Sequence, residues 1–97
     1  MMHGHEHVLR EVSDERMRQE RLKAEGRFSM TCADAMSNGA RLAVLIEEVG
    51  EAARALLELG VDGEESYDKH GKDLRQELLQ VAAVAVAWVE GLDRSEC

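Results

Sequence analysis

The sequence predicts an all-α protein in which each chain contributes three helices and the chains associate into a helical bundle. Proline is absent, aromatic residues make up 3% of the chain, and alanine, leucine, valine and glutamate dominate, which favours helix over sheet. Three long stretches carry apolar residues at helical spacing, and two polar segments separate them. The third stretch contains an uninterrupted apolar run, Val81–Val89, that two neighbouring helices cannot fully cover.

The first helix is expected to run from about His7 to Ala24, after a flexible tail at residues 1–6. Gly26 is well placed to cap its C-terminus, because glycine readily adopts the left-handed conformation that ends many helices. Charged residues fill most of this helix. A weak apolar stripe marks the face that we expect to pack: Val8, Val12, Met17 and Leu22.

The second helix should span about Gly39–Leu59, after a loop at residues 27–37. Ser37 and Asn38 are both candidate N-caps, because each can accept a hydrogen bond from a free amide of the first turn. Gly60 is placed to end this helix. Its apolar residues follow the helical period closely: Leu42, Leu45, Ile46, Val49, Ala53 and Leu56.

The third helix should begin near Lys69–Asp73, after a polar loop at residues 61–68, and end near Gly91. It has no polar face after Gln80, which is typical of a helix surrounded by other helices. A three-helix monomer would leave part of this surface in water, so we expect a partner copy. The predicted assembly is a homodimer or a tetramer.

Length and charge restrict the protein class. Residues 1–97 are predicted to form one domain. A net charge of −8 argues against general nucleic-acid binding, although a bound cation could still bridge the chain to a nucleotide. No apolar run is long enough to span a membrane, so no membrane partner is expected. Cys32 and Cys97 form neither a disulfide framework nor a zinc motif, and we expect a cytoplasmic protein.

Three carboxylates recur at helical spacing on the second helix. Residues three or four apart share a helix face, so Glu48 and Glu51 project together, and Glu47 lies one turn from Glu51. The chain is rich in glutamate, and this spacing taken alone is as typical of a solvated helix edge as of a ligand site.

Glu77 strengthens the interpretation as a site. It shares nearly the azimuth of Val84 and Trp88, so a carboxylate lies on the apolar stripe of the most hydrophobic helix. Burying an unpaired charge is costly, and this carboxyl should therefore be protonated, paired or bound to a metal. The alternative to a metal is a buried salt bridge with one of three arginines: Arg41, Arg54 or Arg75.

This arrangement resembles the all-α nucleoside triphosphate pyrophosphohydrolases of the MazG-like family. Their motif is EExxE followed, after a gap, by ExxD. Glu47, Glu48 and Glu51 match the first part, Glu77 matches the start of the second, and Gln80 stands where the family has aspartate. The segment Glu15–Gln19, with Lys23 and Gly26, also resembles the family's first helix, and Leu74–Leu92 its last. The resemblance covers roughly residues 11 to 92.

The resemblance implies hydrolysis of a nucleoside triphosphate to the monophosphate and pyrophosphate, with Mg²⁺ as cofactor and Mn²⁺ as a possible substitute. It implies that Glu48, Glu51 and Glu77 hold the metal, with Gln80 as a weaker ligand through its amide oxygen. Glu47 is then the candidate general base. Basic residues near the loops would bind the triphosphate: Lys23, Lys72 and Arg75.

Two other functions are consistent with the sequence. Because Gln80 replaces the fourth carboxylate, the chain could be a non-catalytic helical interaction module on the same scaffold. The site could also hydrolyse a related phosphoribosyl nucleotide. The sequence does not specify the base, the sugar or which phosphorus is attacked.

Overall fold

A computed structural model of the chain describes residues 4–59 and 72–95. It contains three α-helices: α1 (Gly4–Ala24), α2 (Asn38–Leu59) and α3 (Lys72–Ser95). The described residues include no β-strand. The prediction of an all-α chain with three helices is therefore confirmed.

The N-terminal helix is longer than the sequence suggested. It begins at Gly4, so residues 4–6 of the predicted flexible tail belong to α1. Glu6 lies in the first turn, where its negative charge is favourable beside the free amides of the helix N-terminus. The predicted cap at the other end is confirmed, because Gly26 has a positive φ of 78° and its amide donates to the Lys23 carbonyl at 3.0 Å.

The helix that follows starts close to its predicted position. Ser37 is the N-cap of α2, since its Oγ accepts a hydrogen bond from the Ala40 amide at 3.1 Å. Gly60 and the predicted loop at 61–68 lie outside the described residues. The last helix, α3, continues to Ser95, beyond the predicted end at Gly91. Its final turn is anchored because Arg94 donates to the Ala33 carbonyl at 3.0 Å.

The C-terminal helix α3 is central to the arrangement and packs against both α1 and α2. Among the described helices, α1 and α2 do not pack directly against each other. Ala83 and Ala87 are fully buried, and their small side chains let the neighbouring helices approach α3 closely. One apolar cluster joins α3 to α1 and consists of Val12, Leu79 and Ala83. The other joins α3 to the loop before α2 and consists of Cys32, Ala33, Val84 and Ala87.

A buried arginine fastens the loop between α1 and α2. The guanidinium of Arg41 donates to the carbonyls of Cys32 and Asp34 at 2.9 and 2.8 Å and to Oδ1 of Asn38 at 3.1 Å. The Arg41 side chain passes over α3 at Gly91, where an added Cβ would lie 2.7 Å from the Cys32 carbonyl oxygen. Only glycine fits at this crossing. Arg41 is therefore committed to the loop and does not pair with Glu77.

The apolar stripe of α2 faces outward from the single chain. Its members alternate at spacings of four and three residues, which is the a/d pattern of a coiled-coil seam. The exposed stripe consists of Leu42, Ile46, Val49, Ala53 and Leu56.

None of the helices in the described part of the chain is both long enough and apolar enough to cross a membrane.

Candidate metal centre and adjoining cavity

The fold brings three of the predicted ligands together. Glu48 and Glu51 lie one turn apart on α2, and Glu77 lies in the first half of α3, which packs against α2. One carboxylate oxygen from each lies within 4.8 Å of the others. We call Glu48, Glu51 and Glu77 the carboxylate cluster. Glu48 and Glu77 are half-buried and Glu51 is exposed, so the cluster is open to solvent on one side.

The dimensions of the cluster suit a small hard cation. Oxygen ligands bind Mg²⁺ at about 2.0–2.1 Å, so opposite ligands of one ion are about 4.1 Å apart. The observed limit of 4.8 Å exceeds this by less than an ångström.

Burial and mutual repulsion raise the pKa of two members of the cluster, Glu48 and Glu77. Burial raises the pKa of Glu48, and the neighbouring charges of Glu51, Glu77, Glu47 and Glu15 raise it further. Burial also raises the pKa of Glu77, together with the charge of Glu51 and a hydrogen bond shared with it. The cluster therefore holds a proton or a cation more readily than isolated glutamates do.

Gln80 lies between the two buried members of the cluster. With its amide nitrogen turned toward them, it donates to Oε2 of Glu48 at 3.2 Å and to Oε2 of Glu77 at 3.1 Å. Turning the amide by half a rotation would present its oxygen instead. Gln80 thus faces the cluster, and its amide can offer either a donor or an acceptor.

Glu15 of α1 is an additional acidic residue near the cluster that the sequence analysis did not select. It is only 7% exposed, accepts hydrogen bonds from Arg18 at 2.7 Å and from Gln76 at 3.4 Å, and its charge raises the pKa of both Glu48 and Glu77. Glu15 therefore adds negative charge to the surroundings of the cluster. Its only sequence signal was the resemblance of residues 15–19 to the family's first helix.

A cavity of about 420 Å³ adjoins the cluster, in the cleft between α1 and α2. Glu48 and Gln80 form part of its wall, as does Glu47, whose side chain is exposed. Polar residues of α1 also line it: Glu15, Arg18 and Gln19. The apolar portion of the wall comes from the loop before α2, from α2 and from one face of α3: Phe28, Met30, Met36, Val44, Val84 and Ala87.

Two of the three predicted phosphate-binding residues, Lys23 and Arg75, have other partners. The Lys23 ammonium lies 2.6 Å from Oδ1 of Asp34, and Arg75 contacts Glu11. Lys72 is the first residue of α3. Of the basic residues in the described part of the chain, Arg18 is the one that lines the cavity. The arginines considered as partners of Glu77 pair elsewhere too, since Arg54 lies 3.5 Å from Glu58.

Comparisons of the chain with protein-family models, with curated proteins and with solved structures found no match. The assignment to a family therefore stays a prediction from the motif.

Proposed function

We propose that the protein is a Mg²⁺-dependent nucleoside triphosphate pyrophosphohydrolase that releases a nucleoside monophosphate and pyrophosphate. The observation that carries the proposal is the convergence of Glu48, Glu51 and Glu77 beside a cavity that is large enough for a small ligand. Helix packing alone does not require carboxylates from two helices to meet. A divalent cation would relieve their mutual repulsion and attract phosphate oxygens to the same place.

The donor set fits Mg²⁺. Glu48, Glu51 and Glu77 would hold the ion through carboxylate oxygens, and the Gln80 amide oxygen would be a fourth, neutral ligand after the amide turns. Glu15 would keep the surroundings negative. When bound, the metal would neutralise charge on the triphosphate oxygens and on the departing pyrophosphate. Mn²⁺, which also accepts oxygen ligands, is expected to substitute.

Glu47 is the proposed general base. It lies next to Glu48 on α2 and lines the same cavity, but its carboxylate is exposed and reachable by water. In this position it can accept a proton from a water molecule that attacks a phosphorus atom held at the cluster. Glu47 would therefore act on the water, and Glu48, Glu51 and Glu77 would act on the metal.

Arg18 is the basic residue best placed to contact the substrate, since it borders the cavity and is tied to Glu15. A guanidinium can bind phosphate oxygens through two parallel hydrogen bonds. The roles of Lys23, Lys72 and Arg75 as further phosphate ligands stay predictions. Arg75 and Lys23 would have to exchange their present carboxylate partners for phosphate.

We also propose that two or more copies associate through the exposed stripe of α2 and the outer face of α3. Leu42, Ile46 and Val49 are each about half exposed in the single chain, and Val86 and Val89 of α3 are similarly open. Contiguous apolar surface of this kind is rare on monomers. A seam with a/d spacing is the surface that pairs with a second helix, so a homodimer or tetramer would complete the bundle.

The test is release of pyrophosphate from a panel of nucleoside triphosphates in the presence of Mg²⁺ or Mn²⁺. We expect metal-dependent turnover that Glu77→Gln reduces by at least a hundredfold, because the substitution removes a charged ligand. Glu58→Gln is the matched control: it makes the same chemical change on α2, at an exposed residue paired with Arg54. Hydrolysis in ¹⁸O-labelled water would show whether the label enters the monophosphate or the pyrophosphate, and thus which phosphorus is attacked.

Absence of turnover with every nucleotide, in a protein that still binds Mg²⁺, would favour the interaction-module alternative. Turnover of a phosphoribosyl nucleotide alone would favour the other alternative.

A further inference from the structure

The cavity next to the carboxylate cluster has a polar end and an apolar interior. Glu48 is a member of the cluster and Gln80 hydrogen-bonds to it, and both residues line the cavity, so the cavity and the cluster adjoin directly. A volume of about 420 Å³ falls within the range of small-molecule sites. A ligand whose phosphates were held at the cluster would place its remaining part in this cavity.

The interior offers surfaces suited to a flat aromatic ring. Phe28 and Met30 come from the loop after α1, and both remain more than 40% exposed although they line a concave surface. Met36, Val44 and Val84 extend the apolar wall. Aromatic and thioether side chains contact ring faces favourably, and base stacking on them is tolerant of base identity. This wall would provide affinity for a nucleobase but little selectivity.

Gln19 adds a buried polar group beside this apolar wall. It is 8% exposed and lines the cavity, and its Oε1 lies 3.5 Å from Nη1 of Arg16. Within the described part of the chain, its amide nitrogen has no hydrogen-bond acceptor. Buried polar groups nearly always have partners, so this donor is available to a ligand or to water in the cavity.

The position of Gln19 indicates which edge of a base it would meet. Glu15, one helical turn earlier on α1, lines the same cavity as Glu48 of the cluster. Four residues along a helix correspond to about 6 Å, so Gln19 lies about that much farther along α1. A base that enters with its phosphates at the cluster would direct the edge opposite the sugar toward Gln19.

We propose that this cavity is a nucleobase subsite in which the Gln19 amide nitrogen selects bases that carry a carbonyl at that edge. Uracil and thymine present O4 there and guanine presents O6, each of which accepts a hydrogen bond. Cytosine and adenine present an amino group, which would bring two donors together. The inference rests on the proposed function, because it assumes that the phosphates bind at the cluster.

The experiment measures equilibrium binding with Mg²⁺ of inorganic triphosphate and of the α,β-imido analogues of UTP, GTP, CTP and ATP. These analogues resist cleavage between the first two phosphorus atoms. We expect the UTP and GTP analogues to bind at least tenfold more tightly than the CTP and ATP analogues, and also more tightly than inorganic triphosphate.

Two variants test the role of Gln19. In Gln19→Glu the donor becomes an acceptor. The preference for the UTP and GTP analogues should therefore fall by at least tenfold or reverse toward the CTP and ATP analogues. In Gln19→Met the donor is lost at similar volume, so the preference should disappear while stacking remains. Binding of inorganic triphosphate should change less than threefold in both, which also shows that the variants are folded.

Two kinds of result would overturn the subsite, and they have different consequences for the proposed function. If inorganic triphosphate binds but no analogue binds more tightly, or if the variants weaken every ligand alike, the subsite is wrong and the proposed phosphate site survives. If neither inorganic triphosphate nor any analogue binds in the presence of Mg²⁺, the proposed function fails and the subsite fails with it.

Discussion

Glu48 is the residue at which folding and binding make opposite demands. Its carboxylate is half-buried among four other carboxylates, and burial and repulsion raise its pKa. Both effects disfavour the charged form, yet a cation ligand must be charged. The hydrogen bond from the Gln80 amide compensates in part in the metal-free protein. The remaining free-energy cost of the charged carboxylate predicts that the folded protein becomes more stable when this charge is removed.

Glu48→Gln should therefore raise the melting temperature of the metal-free protein at neutral pH, because it removes repulsion at the cluster. The same variant should lose most of the increase that millimolar Mg²⁺ gives the wild type, since a ligand stabilises only through the folded state it binds. Thermal unfolding with EDTA and with Mg²⁺ measures both effects. A wild-type melting curve that Mg²⁺ leaves unmoved would contradict the metal site.

Gln80→Asp provides the complementary change. It removes the amide donors that link Glu48 and Glu77 and adds a negative charge beside them. The metal-free protein should lose about 1–3 kcal/mol, because two half-buried carboxylates lose a partner. Mg²⁺ affinity should rise, and turnover should rise with it. Calorimetric titration of Mg²⁺ into both proteins is the measurement, and a destabilised variant with unchanged Mg²⁺ affinity would show that residue 80 does not act on the cation.

At the scale of the elements, the loop between α1 and α2 is held by polar contacts as well as by the apolar packing of Cys32 and Ala33. Asp34 accepts from the Lys23 ammonium at 2.6 Å and from the Thr31 amide at 2.8 Å. Arg41 binds the same loop from the side of α2. Since Phe28 and Met30 of this loop line the cavity, these contacts also determine the shape of the proposed subsite.

The Asp34 contacts predict a pH dependence. The hydrogen bond from Lys23, followed by that from the Thr31 amide, lowers the pKa of Asp34. A lowered pKa in the folded state means that the stability is present above the unfolded pKa, at about 4, and is lost as pH falls through the folded value. Asp34→Asn should melt about 4–8 °C lower at pH 7, for a loss of about 1 kcal/mol.

The difference between Asp34→Asn and the wild type should then shrink steadily as the pH is lowered from 5 to 2, because the wild-type carboxyl becomes neutral. Thermal unfolding at equal protein concentration over this range is the measurement. A difference that did not depend on pH would mean that the ion pair with Lys23 contributes nothing to folding.

At the scale of the whole molecule, the single chain leaves much of its apolar surface in water. The outward stripe of α2 and the outer side of α3 expose leucine, isoleucine and valine side chains that a compact monomer would bury. Each chain also carries a net charge of −8. The proposed association would therefore have to come from the apolar stripes, because the overall charges repel.

Val86→Asp tests this association. Val86 is 42% exposed in the single chain, so an aspartate there can remain hydrated if the chains separate. We expect the variant to stay helical by circular dichroism but to sediment as a smaller species than the wild type. Met17→Asp, at an exposed apolar residue of α1, is the control and should leave the assembly intact. A wild-type protein that is monomeric at micromolar concentration would contradict the proposed oligomer.

Periodicity sufficed to predict the three helices and to place Glu48 and Glu51 on one face, because both depend on local geometry. Glu77 could be recognised because a charge interrupted an apolar stripe. Glu15 and Gln19 could not be placed from the sequence, since their position against α2 depends on how both helices pack on α3. The outward direction of the α2 stripe was likewise not evident, because a helical period shows which residues share a face but not what that face meets.

Because α1 and α2 touch α3 but not each other, only the loop and α3, among residues 4–59 and 72–95, keep the two walls of the cleft at a fixed separation. A molecule that fills the cleft would become the first direct link between them. Its binding should therefore slow amide hydrogen exchange along the facing sides of both helices, including turns that it does not contact. The slowing would extend along α1 beyond Gln19 and along α2 beyond Glu48, so the ligand would act as part of the core that the single chain lacks.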